Sequence, residues 1–141
     1  MTARHFASES GSVSVWLVII VPTLILVAGL VSDGGKVMTA NERAQNIAEE
    51  AARAGADSLS DTALRNGVVG QLDPVQAQAA AQDYLHSAGV TGTITVTDDT
   101  VTVTTTITQH LPVLSAVGVD DSTVTGHARA RSIGGITKEL P

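Results

Sequence analysis

Residues 12–32 read SVSVWLVIIVPTLILVAGLVS, about 21 residues without a charged side chain, and a helix of about 20 apolar residues crosses the hydrocarbon of a bilayer. The stretch is apolar on every face, whereas a buried helix in a domain this small would be amphipathic. Pro22 removes a backbone donor and is expected to bend the helix, which membrane helices tolerate. Ala28 and Gly29 offer a patch of small residues suited to close helix contact. The competing reading of residues 1–32 as a secretory signal peptide calls for an apolar run of about 7–15 residues closed by an A-x-A site. This run is longer and carries no such site at its end.

The flanks set the direction of insertion. MTARHFASES before the span carries Arg4 and the terminal amine against Glu9, and the long chain beyond it is acidic. A short leader before a long acidic domain favours a cytoplasmic N-terminus and an extracytoplasmic C-terminal domain. The expected organisation is a leader (1–11), a transmembrane helix (12–32), an Ala-rich helical stalk (33–60) and a small α+β domain (61–141).

Alanine recurs at 40, 44, 48, 51, 52, 54 and 56, and alanine is the best intrinsic helix former, so the membrane helix is expected to continue outward. Gly34 and Gly35 are the candidate break, because paired glycines weaken a helix and permit a hinge. Val37, Ala40, Ala44, Ile47, Ala48, Ala51 and Ala54 fall at spacings of three and four, a narrow stripe that wants a close partner. That partner is either the protein's own sheet or the helix of another subunit. Glu49 and Arg53 have the spacing of an i, i+4 ion pair.

Farther on, SDTALRNGVVGQLD reads as a connection. A second helix follows, with Asp73 as N-cap, Pro74 at its first position, Gln76 completing a capping box and Gly89 ending the run. Ala77, Ala81, Tyr84, Leu85 and Ala88 form its apolar face. TGTITVT and TVTVTTTIT alternate about Asp98-Asp99, the period of half-buried strands. A two-residue turn there sets Ile94 opposite Val103 and Val96 opposite Val101, although the glycine preferred in tight hairpins is missing. A third strand is expected around 122–133, with a short apolar helical turn at 111–114. The fold class is α+β: a long N-terminal helix, transmembrane and then Ala-rich, a second helix and a small antiparallel sheet, pilin-like in outline.

Two stretches resemble the TadE/TadG-like minor pilins, or pseudopilins, of Flp-type (Tad) pilus assembly systems. Gly11-Ser12 followed by Val15, Trp16 and Pro22 is similar to that family's leader, in which a Gly precedes the prepilin-peptidase cut. The resemblance thus implies processing between Gly11 and Ser12. Trp16 stands where the family has a Glu that neutralises the mature amine of a neighbouring subunit, so the resemblance leaves polymerisation open. Asp33-Gly34-Gly35-Lys36 and the run from Arg43 to Ala56, RAQNIAEEAARAGA, resemble the pattern D-x-G-[RK] … Q-x-x-A-[DE]-x-A-A-x-A-G-A. The family implies as partners the membrane, other pilin or pseudopilin subunits, prepilin peptidase and the inner-membrane pilus platform.

Chemistry is sparse. His5, His86, His110 and His127 lack metal-ligand spacing, and Asp98-Asp99 and Asp120-Asp121 lack the ligand series of a calcium loop. No nucleophile elbow, phosphate loop or dinucleotide fingerprint occurs, so no catalytic, cofactor or metal residue is assigned and an enzyme is not expected. A net charge of −6 without clustered Lys or Arg argues against nucleic acid. Arg129 and Arg131, on one face of the third strand, are the candidate contacts for an acidic partner. The expected function is a non-enzymatic component of Flp/Tad-type pilus assembly in the inner membrane. The alternative is an exported or membrane-anchored extracytoplasmic binding module unrelated to pili.

Overall fold

The computed structural model describes residues 10–59, 65, 67 and 71–132, the side chains of residues 10–12 excepted. The expectations placed on the leader before Ser10, on most of the connection at 60–70 and on the tail beyond Ser132 lie outside the described residues.

The chain opens with α1, Ser10–Ala56, one helix of 47 residues and about 70 Å at 1.5 Å per residue. It passes through Pro22 and through Gly34-Gly35 without interruption, so the glycine pair makes no break. A Cβ at either glycine would meet nothing within 4 Å, and the alanine-rich sequence on the far side carries the helix onward. Leu59 and Leu72 form an isolated bridge that closes the connection after α1.

The second helix, α2, runs Pro74–Ser87. One carboxylate oxygen of Asp73 accepts from the amides of Val75 (2.9 Å) and Gln76 (3.2 Å), satisfying two of the donors that a helix start leaves free. The reciprocal half of a capping box is missing: the Asp73 amide donates to the Ser58 carbonyl instead (3.3 Å), tying the start of α2 to the end of α1. Gly89 takes φ +67° just beyond the helix, the left-handed position that ends helices.

Three antiparallel strands, β1 (Thr91–Thr97), β2 (Thr100–His110) and β3 (Asp121–Arg131), lie in the order β1-β2-β3. Asp98 and Asp99 make a two-residue turn, so Ile94 pairs with Val103 and Val96 with Val101. Asp98 adopts φ +54°, doing without glycine what the twist of a tight hairpin demands. The β2–β3 connection holds a 3-10 helix at Leu114–Val117, a few residues later than the pattern at 111–114 indicates.

The sheet lies along the upper half of α1, and α2 packs between α1 and β1. The main core joins Ala48, Ala51, Ala52 and Ala56 of α1 with Ala77, Ala81 and Leu85 of α2 and Val101 and Val103 of β2. A smaller cluster of Ala40, Ala44 and Val124, flanked by Val37 and Ile107, continues down the helix toward its apolar half. The outer face of the sheet carries the threonines of β1 and, apart from the inward-facing Thr105, those of β2, paired in ranks such as Thr93 with Thr104 and Thr95 with Thr102.

Candidate functional site: the long helix and its docked domain

Two surfaces of α1 behave oppositely. From Val13 to Val31 the large side chains stand free: Trp16 is 65% exposed and Ile25 62%, and their neighbours are similar. From Ala40 to Ala56 one side of the helix is fully covered by the rest of the chain, with Ala44, Ala48, Ala51 and Ala52 at zero exposure.

The close approach along the covered side follows from residue size. β3 crosses α1 at Gly126, where a Cβ would lie 2.3 Å from the Ala44 carbonyl carbon and oxygen. Beside it Thr105, the registered partner of Gly126, donates its hydroxyl to the Ala44 carbonyl at 2.8 Å, a buried bond from sheet to helix. Farther up, Gly55 sits against the Ala77 carbonyl and the Val101 side chain. Gln45 then closes the open edge of β3: its amide nitrogen donates to the His127 carbonyl (2.9 Å), and its amide oxygen accepts from the His127 N–H (3.2 Å). A side-chain amide thereby does what a fourth strand would do at that position.

At the foot of the domain, Asp33 is completely buried. One of its oxygens accepts from the Val113 and Leu114 amides, both at 2.9 Å, and the other accepts from the Lys36 ammonium at 3.1 Å. Burial by itself would raise the Asp33 carboxyl, but the Leu114 amide, the Lys36 ammonium and the Val113 amide together hold it below its ordinary value. One turn lower Val113 packs onto Gly29, where a Cβ would collide with the valine side chain. Gly29 and Asp33, four residues apart on one face, thus grip the β2–β3 connection.

The structure places most of the candidate site residues singled out in the sequence. Ala40, Ala44, Ala48 and Ala51 are buried and Val37, Ile47 and Ala54 half-buried. In the folded chain the four alanines face its own sheet and second helix. Arg53 pairs with Glu50 at 2.8 Å, while Glu49 accepts from Gln45 at 2.9 Å, so the Glu49–Arg53 spacing is not used. Arg131 is committed to Asp99 at 2.7 Å, which lowers the Asp99 carboxyl and raises the Arg131 guanidinium, and this pair braces the β1–β2 turn. Arg129 is exposed on the same strand face. Gly11 and Ser12 lie in the first turn of α1, and their side chains are outside the described residues. His110 contacts Asp121 and His127 contacts Thr104, each at 3.0 Å on the surface.

Sequence reasoning missed Asp33, Gly29 and Gln45 as structural determinants. The available signal was an acid placed directly after an uncharged span with a lysine three residues on, which is costly near a membrane unless the acid is paired. A cleft of about 500 Å³ lies between α1 and β2, with Lys36, Thr39 and Arg43 facing Ile107 and Gln109. Among the described residues, no three His, Asp or Glu side chains come together in a metal-binding group.

A long helix, apolar and bare below and roofed above by a second helix and a three-stranded antiparallel sheet, defines an α+β fold with one helix long and apolar enough to cross a membrane. Residues 11–58 match the family model described as "Putative Flp pilus-assembly TadE/G-like", so this part of the chain is TadE/TadG-like. No curated protein and no solved structure matches the chain. The matched segment coincides with α1 and its immediate end. Within it Asp33, Lys36, Gln45, Ala48, Ala51, Ala52 and Gly55 are turned to the helix's own domain. In this chain those residues build the joint between helix and domain.

Proposed function

We propose that the protein is a non-enzymatic minor pilin of TadE/TadG type, held in the inner membrane by residues 12–32 with its domain outside, and that it packs with other pilin subunits through the N-terminal helix. The family match supports a part in Flp/Tad pilus assembly. The observation that carries the finer reading is the division of α1. Its covered half is used up by the domain, and in its lower half the large apolar side chains from Val13 to Val31 stand exposed over about 30 Å of helix. In a bilayer this bare surface is solvated by lipid, and it is equally suited to lie against the helix of another pilin. Contact with neighbours is therefore assigned to residues 13–31 rather than to the alanine stripe. Prepilin peptidase, acting between Gly11 and Ser12, and the inner-membrane platform are the further partners this reading requires.

The absence of native cysteine makes the test direct. Single cysteines at Leu17, Leu24 and Ala44 are introduced into the full chain, and disulfide adducts with cysteine-bearing pilins are sought in the native envelope. Adducts are expected from Leu17 or Leu24 and none from Ala44. Adducts from Ala44 alone, or from no position, overturn the assignment. The mature N-terminus, read by intact mass, reports separately on processing: a chain starting at Ser12 supports the peptidase, and one starting at Met1 or Thr2 removes it from the scheme.

A further inference from the structure

We infer that the β2–β3 connection, Leu111–Val119, is a second membrane contact that lies in the interfacial layer of the same leaflet through which α1 leaves the bilayer. The inference rests on the membrane-anchored reading of α1 and adds to it a surface of the folded domain.

Four observations converge on this loop. Nine of the ten residues between β2 and β3, LPVLSAVGV from Leu111 to Val119, carry no ionisable side chain, and the exposed Asp120 is the tenth, at the base beside β3. Its tip is open, with Val117 56% and Val119 47% exposed and Pro112 and Ala116 exposed beside them. Its position is fixed by contact with the span itself. Val113 packs on Gly29, which lies inside the uncharged run four residues below Asp33, about 6 Å along the helix axis. A loop seated against Gly29 cannot stand clear of the membrane if residues 12–32 span it, because amphipathic segments in the interface reach about 5–10 Å into the headgroup and acyl boundary.

The fourth observation concerns the backbone. Loops in water can leave amide groups to the solvent, but in a lipid environment each unpaired group is costly. Here Leu111 donates to the Asp120 carbonyl, Ser115 to Leu111, Ala116 to Val113, Gly118 to Ser115 and Val119 to Leu114. Val113 and Leu114 donate to the Asp33 carboxylate, and position 112 is a proline with no N–H to satisfy. Most N–H groups of the connection are thus paired, its tip is apolar, and it is docked on the span. Asp33 has a matching role: a carboxylate at this depth is tolerated because two amides and the Lys36 ammonium pair with it. With α1 and the loop as two contacts, the domain is held at one tilt to the bilayer.

The full chain lacks cysteine, so single-cysteine variants Val117→Cys, Val119→Cys, Leu24→Cys and Thr95→Cys can each carry an environment-sensitive fluorophore in phosphatidylcholine vesicles, with iodide supplied on both sides. The labels at 117 and 119 are expected to be quenched by nitroxide on the lipid chain near the headgroup. They should also be several-fold less sensitive to iodide than the label at 95 on the outer sheet face. Leu24 reports on the anchor. Lipid quenching at 24 combined with iodide access at 117 and 119 equal to that at 95 overturns the inference and leaves the anchor standing. Absence of lipid quenching at 24 removes both. Labels at 117 and 119 shielded from iodide and from lipid nitroxide alike mean that another protein surface covers the loop, and this also overturns the inference.

Discussion

Replacing Gly126 by alanine should separate the domain from the helix at its tightest crossing. The added Cβ would lie 2.3 Å from both the carbonyl carbon and oxygen of Ala44 and 2.6 Å from the Gln45 nitrogen, where van der Waals contact needs well over 3 Å. All three atoms are main chain in the middle of a long helix, so relief requires β3 to lift by about 1 Å and not merely a side chain to turn. Lifting β3 stretches the Thr105–Ala44 bond and the paired contacts of Gln45 with His127. Overpacking of this kind costs about 1–3 kcal/mol, and loss of the buried hydroxyl bond adds about 1 kcal/mol. The assay is urea unfolding of the full chain in detergent, read by proteolytic survival of the domain. A loss of about 2–4 kcal/mol moves the midpoint down by more than about 1 M at a slope of about 1–2 kcal/mol/M. Gly34→Ala is the matched control: it too adds one methyl to a glycine, but on exposed helix with nothing within 4 Å, and should stabilise α1 locally by about 0.5–1 kcal/mol. An unchanged midpoint in Gly126→Ala would refute the seating of β3 on Ala44.

The Asp33 clamp carries a pH signature. Because its folded carboxyl is held below the ordinary value, its contribution to stability is complete above about pH 4 and is lost as the pH falls through the lowered value. Asp33→Asn should therefore flatten the acid limb of the stability profile, and an acid limb unchanged from the parent chain would count against the clamp. Asp73→Ala removes the cap that accepts from Val75 and Gln76; a loss of about 1 kcal/mol is expected, with faster amide exchange confined to the first turn of α2. Ala44→Leu should unfold the domain along with any effect on assembly, since Ala44 has no exposed surface. A folded domain in that variant, by the same proteolysis assay, would show that the stripe has space the structure does not contain.

Local patterns were enough for the elements themselves. The uncharged run at 12–32 and the alanines from 40 to 56 specify helix by hydrophobicity and propensity, and strict alternation about Asp98-Asp99 specifies the hairpin and even its register. Those signals are carried by residues near one another in the chain, so they can be read without knowing what packs on what. Which surface of α1 remains free was decided only by tertiary structure. The stripe from Val37 to Ala54 is equally suited to a sheet or a foreign helix, because small side chains announce close approach without naming the partner. The choice is made by Gly126 and Thr105, some 60 to 80 residues away, which seat β3 on Ala44. The same holds for the motif acid. Asp33 looks like a polar residue marking the end of a span, and it becomes the anchor of the β2–β3 connection only when folding brings the Val113 and Leu114 amides to it. Spacing along a chain determines local conformation. Satisfaction of a buried charge depends on groups that folding alone brings within hydrogen-bonding distance.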